Sequence, residues 1–148
     1  MVAESLKLNP LAEAFDPENT TPIVDDCSFN IVATKSLLRQ LGTEADSLAH
    51  SRSLPSLLQL RDAEGLPMYR LVLLDYSMPD FDGPKCTQMI REFASERGLQ
   101  QPVIVCITAY AEATFRAAAL AAGMDDVLVK PVFKKRMLRV LRKFDLLA

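Results

Sequence analysis

The chain has 148 residues, 49% of them apolar, and its 17 basic and 19 acidic side chains leave a net charge of −2. That size and apolar share suit one domain with a single sizeable core, and the near balance of charge gives no general reason to expect nucleic acid or an anionic membrane as partner. No apolar run approaches the ~20 residues of a membrane span, and the opening MVAESLKLNP lacks the apolar core and cleavage pattern of a secretory signal, so the expectation is a cytoplasmic chain without direct membrane insertion.

Residues 1–20, MVAESLKLNPLAEAFDPENT, carry prolines and acids without sustained periodicity and read as a leader or linker, which leaves 21–146 as the domain. From Thr21 onward, short apolar runs alternate with stretches of helical spacing, the pattern of βαβ units around a parallel sheet. The first strand is PIV at 22–24; the helix after it is expected to start at a Ser28 N-cap and to bury Ile31, Thr34, Leu38 and Leu41 before Gly42 stops it. The second strand and helix have the weakest signals, TEADSLAHS and LPSLLQLRDAEG. His50, the sole histidine, falls there and reads as a surface or packing residue.

The third strand is LVLL at 71–74, followed by a loop through Gly83 and a helix with Cys86, Met89, Ile90 and Phe93 on one side and Gly98 just beyond its end. The fourth strand is VIVCI at 103–107, and its helix is expected to bury Phe115, Ala118, Ala119 and Ala122 before Gly123. The fifth strand is VLV at 127–129. The last helix turns Met137, Leu138, Leu141 and Phe144 inward, and the Lys and Arg residues around them read as a solvated face. Cys27, Cys86 and Cys106 are odd in number, widely spaced and without a CxxC pair, so they read as reduced, mostly structural thiols.

Each well-marked strand ends in a residue of strong chemical character: Asp25 and Asp26 after the first, Asp75 after the third, Thr108 after the fourth, Lys130 after the fifth. In a parallel sheet these ends share one edge, where ligands of open α/β sheets bind. Three carboxylates gathered there repel one another, and the natural remedy is a hard divalent cation; Mg2+ fits, held by one or two carboxylates with waters and phosphate oxygens at ~2.0–2.1 Å. Lys130 as a point charge and Thr108 as a neutral donor then suit an incoming anion. A carboxylate beside a metal and a lysine can attack phosphorus, and Asp75, at the end of the buried-looking run LVLL, is the candidate nucleophile.

In order and type, IVDDCSFN, LLDYSMPDFDG, VIVCITAY and VLVKP resemble the receiver domain of two-component response regulators and hybrid histidine kinases, from about Thr21 to Phe144. The resemblance implies a flavodoxin-like (βα)5 fold, a five-stranded parallel sheet in the order 2-1-3-4-5. It also implies roles: Asp75 as phosphoacceptor, Asp25, Asp26, Asp75 and the Ser77 carbonyl as the Mg2+ site with Mn2+ as a substitute, Thr108 as a switch hydroxyl, Lys130 as its ionic partner, and a cis bond before Pro131. A histidine kinase or histidine phosphotransfer protein would donate the phosphoryl group, with no substrate turnover by the chain alone. Asn30 and GMDD are closer in style to receivers of hybrid histidine kinases, as in a C-terminal receiver of such a kinase, and weak self-association through the fourth and fifth helices is compatible with the family. Val127 stands where many receivers carry an aromatic, which leaves Tyr110 as the gate and, with Ser77, as a tuner of phosphate lifetime. Two other readings stay open: a degenerate receiver that binds partners without phosphorylation, and an aspartate-dependent phosphatase, in which Ser77 occupies the place of the usual second acid.

Overall fold

A computed structural model describes residues 21–147; residues 1–20, read above as a leader or linker, lie outside the described residues. In chain order the elements are β1 (Thr21–Val24), α1 (Ser28–Gln40), β2 (Ala45–Leu48), a 3-10 turn (Ser51–Ser53), α2 (Leu54–Ala63), β3 (Leu71–Asp75), α3 (Gly83–Glu96), β4 (Val103–Thr108), α4 (Ala113–Ala121), β5 (Asp126–Val129) and α5 (Lys134–Lys143). The strands form one parallel sheet, as the alternating runs predict, in the order β2-β1-β3-β4-β5 that the family resemblance implies.

The apolar runs are continuous because both faces of the sheet are covered. Side chains alternate between faces at a period of two, so Leu71 and Leu73 pack with Ile23, Val105 and Leu128 against α1 and α5, while Val72 and Leu74 pack with Val24, Ile104 and Cys106 against α2, α3 and α4. The central strand β3 is buried at all five positions. By contrast β2 pairs with β1 alone, and of its four residues only Leu48 is buried. A half-buried edge strand needs no long apolar run, which explains the faint signal of TEADSLAHS. The helix that follows it buries Leu54, Leu57 and Leu58 together with Arg61, whose guanidinium lies 4.0 Å from the Tyr69 ring centroid and whose Nε donates to the Pro67 carbonyl at 2.6 Å.

Several local expectations need correction. The N-cap of α1 is Cys27, in extended backbone with no capping side chain, and Ser28 is already helical. The reason is the neighbouring acid: Asp25 Oδ1 accepts the Cys27 amide at 2.9 Å, so the turn into α1 is held from before the helix. Leu41 is the half-buried C-cap of α1 rather than a core residue. In α4 Ala118 is exposed, Phe115 and Ala122 are half-buried, and only Ala119 is fully buried. In α5 Val140 joins Met137 and Leu141 in the core, and Leu138 turns partly outward. Cys86 and Cys106 are buried thiols, each pushed up to about 12 chiefly by burial, whereas Cys27 is exposed; all three are free.

Candidate functional site

The pleat carries the chemistry to one edge. Ile23, Leu73 and Leu128 face the same side of the sheet, and two residues further along the chain Asp25, Asp75 and Lys130 continue that row, Asp75 as the last residue of β3 and the other two just past β1 and β5. Pairing of Ile23 with Leu73 and of Val24 with Leu74 sets Asp25 beside Asp75. Thr108 continues the row of Cys106 on the opposite parity, one residue beyond Ile107, the register partner of Asp75.

Carboxylate oxygens of Asp25, Asp26 and Asp75 lie within 4.8 Å of one another. Asp25 and Asp75 are buried, at 4% and 9% exposure, and Asp26 is exposed. Two buried acids this close are costly unless a cation joins them. Lys130 supplies it: Nζ stands 3.3 Å from Asp25 Oδ2 and 3.3 Å from Asp75 Oδ1. Burial nevertheless pushes the Asp75 carboxyl above its ordinary value, the Asp25 charge adds to the rise, and Lys130 offsets only part of it. Burial works against the Lys130 ammonium as well, but the charges of Asp75 and Asp25 and its bonds to them outweigh that and raise its pKa.

The surrounding backbone fixes these groups. The Lys130 amide donates to the Thr108 carbonyl at 2.7 Å, and the bond between Lys130 and Pro131 is cis, as the resemblance implied. Thr108 Oγ accepts the Tyr110 amide at 3.1 Å, which leaves its own hydroxyl proton to be donated. The Tyr110 ring is turned outward and stacks on Phe115 with centroids 4.4 Å apart, and Tyr76 meets Phe115 edge-on at 5.7 Å. Val127 is buried and Ser77 exposed on the loop after β3.

Three contributions were not read from the sequence. Gly83 sits directly beneath the site: a Cβ there would come within 2.7 Å of the Asp75 carbonyl, and its amide donates to the Tyr76 carbonyl at 2.8 Å. The sequence placed Gly83 in the loop before the helix; α3 instead begins at Gly83, and Asp82 caps it by accepting from the Lys85 amide at 2.8 Å. Phe29, Val32 and Phe133 are exposed at 79%, 67% and 61%, on the first turns of α1 and at the N-cap of α5, around the same sheet edge. Their signal was present, since large apolar residues stood off the helical core spacing. Finally Asp126 pairs with Arg116 and Lys143, at the opposite end of β5 from Lys130.

The family model for the response regulator receiver domain matches residues 22–142. The chain belongs to the receiver domain family. Among curated relatives, this receiver is 32% identical over 125 residues to the sensor protein GacS of Pseudomonas syringae pv. syringae, covering 84% of this chain and 13% of GacS. It is 28% identical over 137 residues to the signal transduction histidine-protein kinase BarA of Escherichia coli (strain K12), covering 93% of this chain and 14% of BarA. The receiver therefore spans only a small part of each relative's length. Among solved structures, the receiver domain of the sensor histidine kinase PA1611 from Pseudomonas aeruginosa PAO1, which holds a magnesium ion in its active site cleft, superposes with a TM-score of 0.68 at 26% identity, over 86% of this chain and 97% of that one. The receiver domain of the histidine kinase CKI1 from Arabidopsis thaliana, as a mutant, shares the fold with a TM-score of 0.73 at 22% identity, over 86% and 89%. Among the described residues of this receiver no helix is long and apolar enough to cross a membrane.

Proposed function

We propose that Asp75 is the phosphoacceptor of a phosphorelay receiver spanning 21–146, charged by a histidine kinase or a histidine phosphotransfer protein. The observation that carries this reading is the pair of contacts from Lys130 Nζ to Asp25 and Asp75, 3.3 Å each, inside a cluster of three carboxylates. A carboxylate oxygen of Asp75 attacks phosphorus of the donor's phosphohistidine; the P–O bond forms as the P–N bond breaks, and the imidazole leaves and takes a proton from water. Lys130 then turns from Asp75 toward the new phosphoryl oxygens, and the Thr108 hydroxyl donates to another.

An all-oxygen donor set of three acids within 4.8 Å suits a hard divalent cation, so Asp25, Asp26, Asp75 and the Ser77 carbonyl would hold Mg2+, with Mn2+ as a substitute. When bound, the ion neutralises the carboxylate cluster and the approaching phosphoryl dianion. Likeness to named histidine kinases supports placing this receiver within a hybrid histidine kinase. The exposed Phe29, Val32 and Phe133 would form the apolar seat on which the donor protein docks beside Asp75. Ser77 and Tyr110, at the rim, would set how readily water reaches the acyl phosphate.

Intact-mass measurement after incubation with acetyl phosphate tests the proposal. Wild type should gain a single phosphoryl group only with Mg2+, and Asp75→Asn none. A wild-type protein that stays folded yet gains no phosphoryl group and binds no beryllofluoride would leave a phosphorylation-independent interaction module as the better reading.

A further inference from the structure

A groove of about 710 Å3 runs along β5 between α4 and α5, on the flank of the sheet away from the carboxylate cluster. Its floor is apolar, formed by Val127, Val129 and Leu138. Its wall is cationic: Lys135, Arg136, Arg139 and Arg142 line it, all exposed, and among the described residues none of the four makes an ion pair. Helix α5 holds six basic side chains and no acid, in a chain whose net charge is −2. The compensating negative charge lies elsewhere, and part of it is concentrated in the leader.

We propose that this groove binds the chain's own residues 1–20. Glu4, Glu13, Asp16 and Glu18 face a single base there, Lys7, for a net −3, and Leu6, Leu8, Leu11 and Phe15 supply apolar side chains among those acids. The segment thus matches both properties of the groove, its charge and its apolar floor. It also reaches. The leader joins the sheet at Thr21 in β1, and three strand spacings of ~4.8 Å separate β1 from β5, about 14 Å, while 20 residues extend to as much as ~66 Å. A tethered segment meets the groove at an effective concentration in the millimolar range, so modest contacts suffice.

Other occupants fit less well. A second copy packed face to face through α4 and α5 would bring one basic α5 against another. Strand addition on β5 meets a blunted edge, because the Val127 amide already donates to Asp126 Oδ1 at 2.8 Å, with Arg116 and Lys143 on the same carboxylate. Side-chain docking of an acidic, apolar segment remains. Its consequence is regulatory: a partner that uses the α4–β5–α5 flank must first displace the leader.

The test compares 1H–15N spectra of the full chain with those of a variant carrying Glu4→Lys, Glu13→Lys, Asp16→Lys and Glu18→Lys, all four positions lying outside the described residues. Amides of 127–129 and 135–142 should shift, high salt should shift the wild-type spectrum in the same direction, and Arg139→Glu with Arg142→Glu should reproduce the effect. Combining the leader reversal with the groove reversal should return the resonances toward wild type. Groove amides unmoved by the leader reversal would overturn the proposal, as would shifts that grow with protein concentration, the mark of a second copy as occupant.

Discussion

The backbone amide of Lys130 donates to the carbonyl of Thr108 at 2.7 Å, a main-chain bond that continues the β4–β5 pairing to the residues carrying the ammonium and the hydroxyl proposed to meet the phosphoryl group. Movement of either strand end carries the other with it. This explains how two side chains on opposite pleats can converge on one phosphoryl group.

Lys130→Ala removes the only cation placed between Asp25 and Asp75 among the described residues. Labelling by acetyl phosphate should slow about a hundredfold, the size of effect seen when a preorganised charge donor is lost. Without divalent metal the variant should also melt lower than wild type. Asp75→Asn should melt higher, since burial and the Asp25 charge hold the Asp75 pKa up and its ionised form therefore costs stability at neutral pH. Paired melting curves in a chelator read both signs.

Gly83→Ala forces a methyl to within 2.7 Å of the Asp75 carbonyl and 3.0 Å of the Tyr76 Cα, both backbone atoms that cannot rotate aside. The expected cost is about 1–3 kcal/mol, as for other overpacked sites, and a slower labelling of Asp75 because the strain falls on the backbone of the proposed nucleophile. Urea midpoints and labelling rates on one preparation measure both effects.

Asp126 is 2% exposed and accepts the Val127 amide at 2.8 Å, whereas its ionic partners Arg116 and Lys143 are half in solvent. The buried amide bond should dominate: Asp126→Ala costs about 1–3 kcal/mol, and Asp126→Asn, which keeps an acceptor, less than about 1 kcal/mol. Burial works to raise the Asp126 pKa, but the Val127 amide, Lys143 and Arg116 together hold it below the ordinary 3.8. A depressed folded pKa gives stability that is complete above the unfolded value and lost as pH falls through the folded one. The gap between wild type and Asp126→Ala should stay constant near neutrality and narrow below about pH 4.

Phe29→Ala trims the most exposed apolar side chain near the site without touching the carboxylates. Transfer from a phosphorylated histidine donor protein should fall roughly tenfold, the scale of losing one interface anchor. Labelling by acetyl phosphate, which needs no protein docking, should stay at the wild-type rate. Equal losses in both assays would place Phe29 in the chemistry instead of the docking seat.

Order and type of the elements were legible in one dimension, because buried parallel strands require unbroken apolar runs and covering helices require 3.6-residue spacing. The same logic exposed Asp25, Asp75, Thr108 and Lys130, each a polar residue at the end of such a run. What one dimension does not carry is distance between strands. Lys130 meets Asp25 across 105 residues and Asp75 across 55, contacts that exist only once the register of four strands is set. Gly83 became important because α3 starts against the Asp75 carbonyl, Cys27 displaced Ser28 as N-cap because a buried Asp25 holds its amide, and the basic run of α5 became one wall of a groove because β5 is an edge strand. Local composition determined which groups the chain could offer; packing decided which of them stand within reach of one another, since charge pairing and steric contact fall off over a few ångströms while sequence separation says nothing about them.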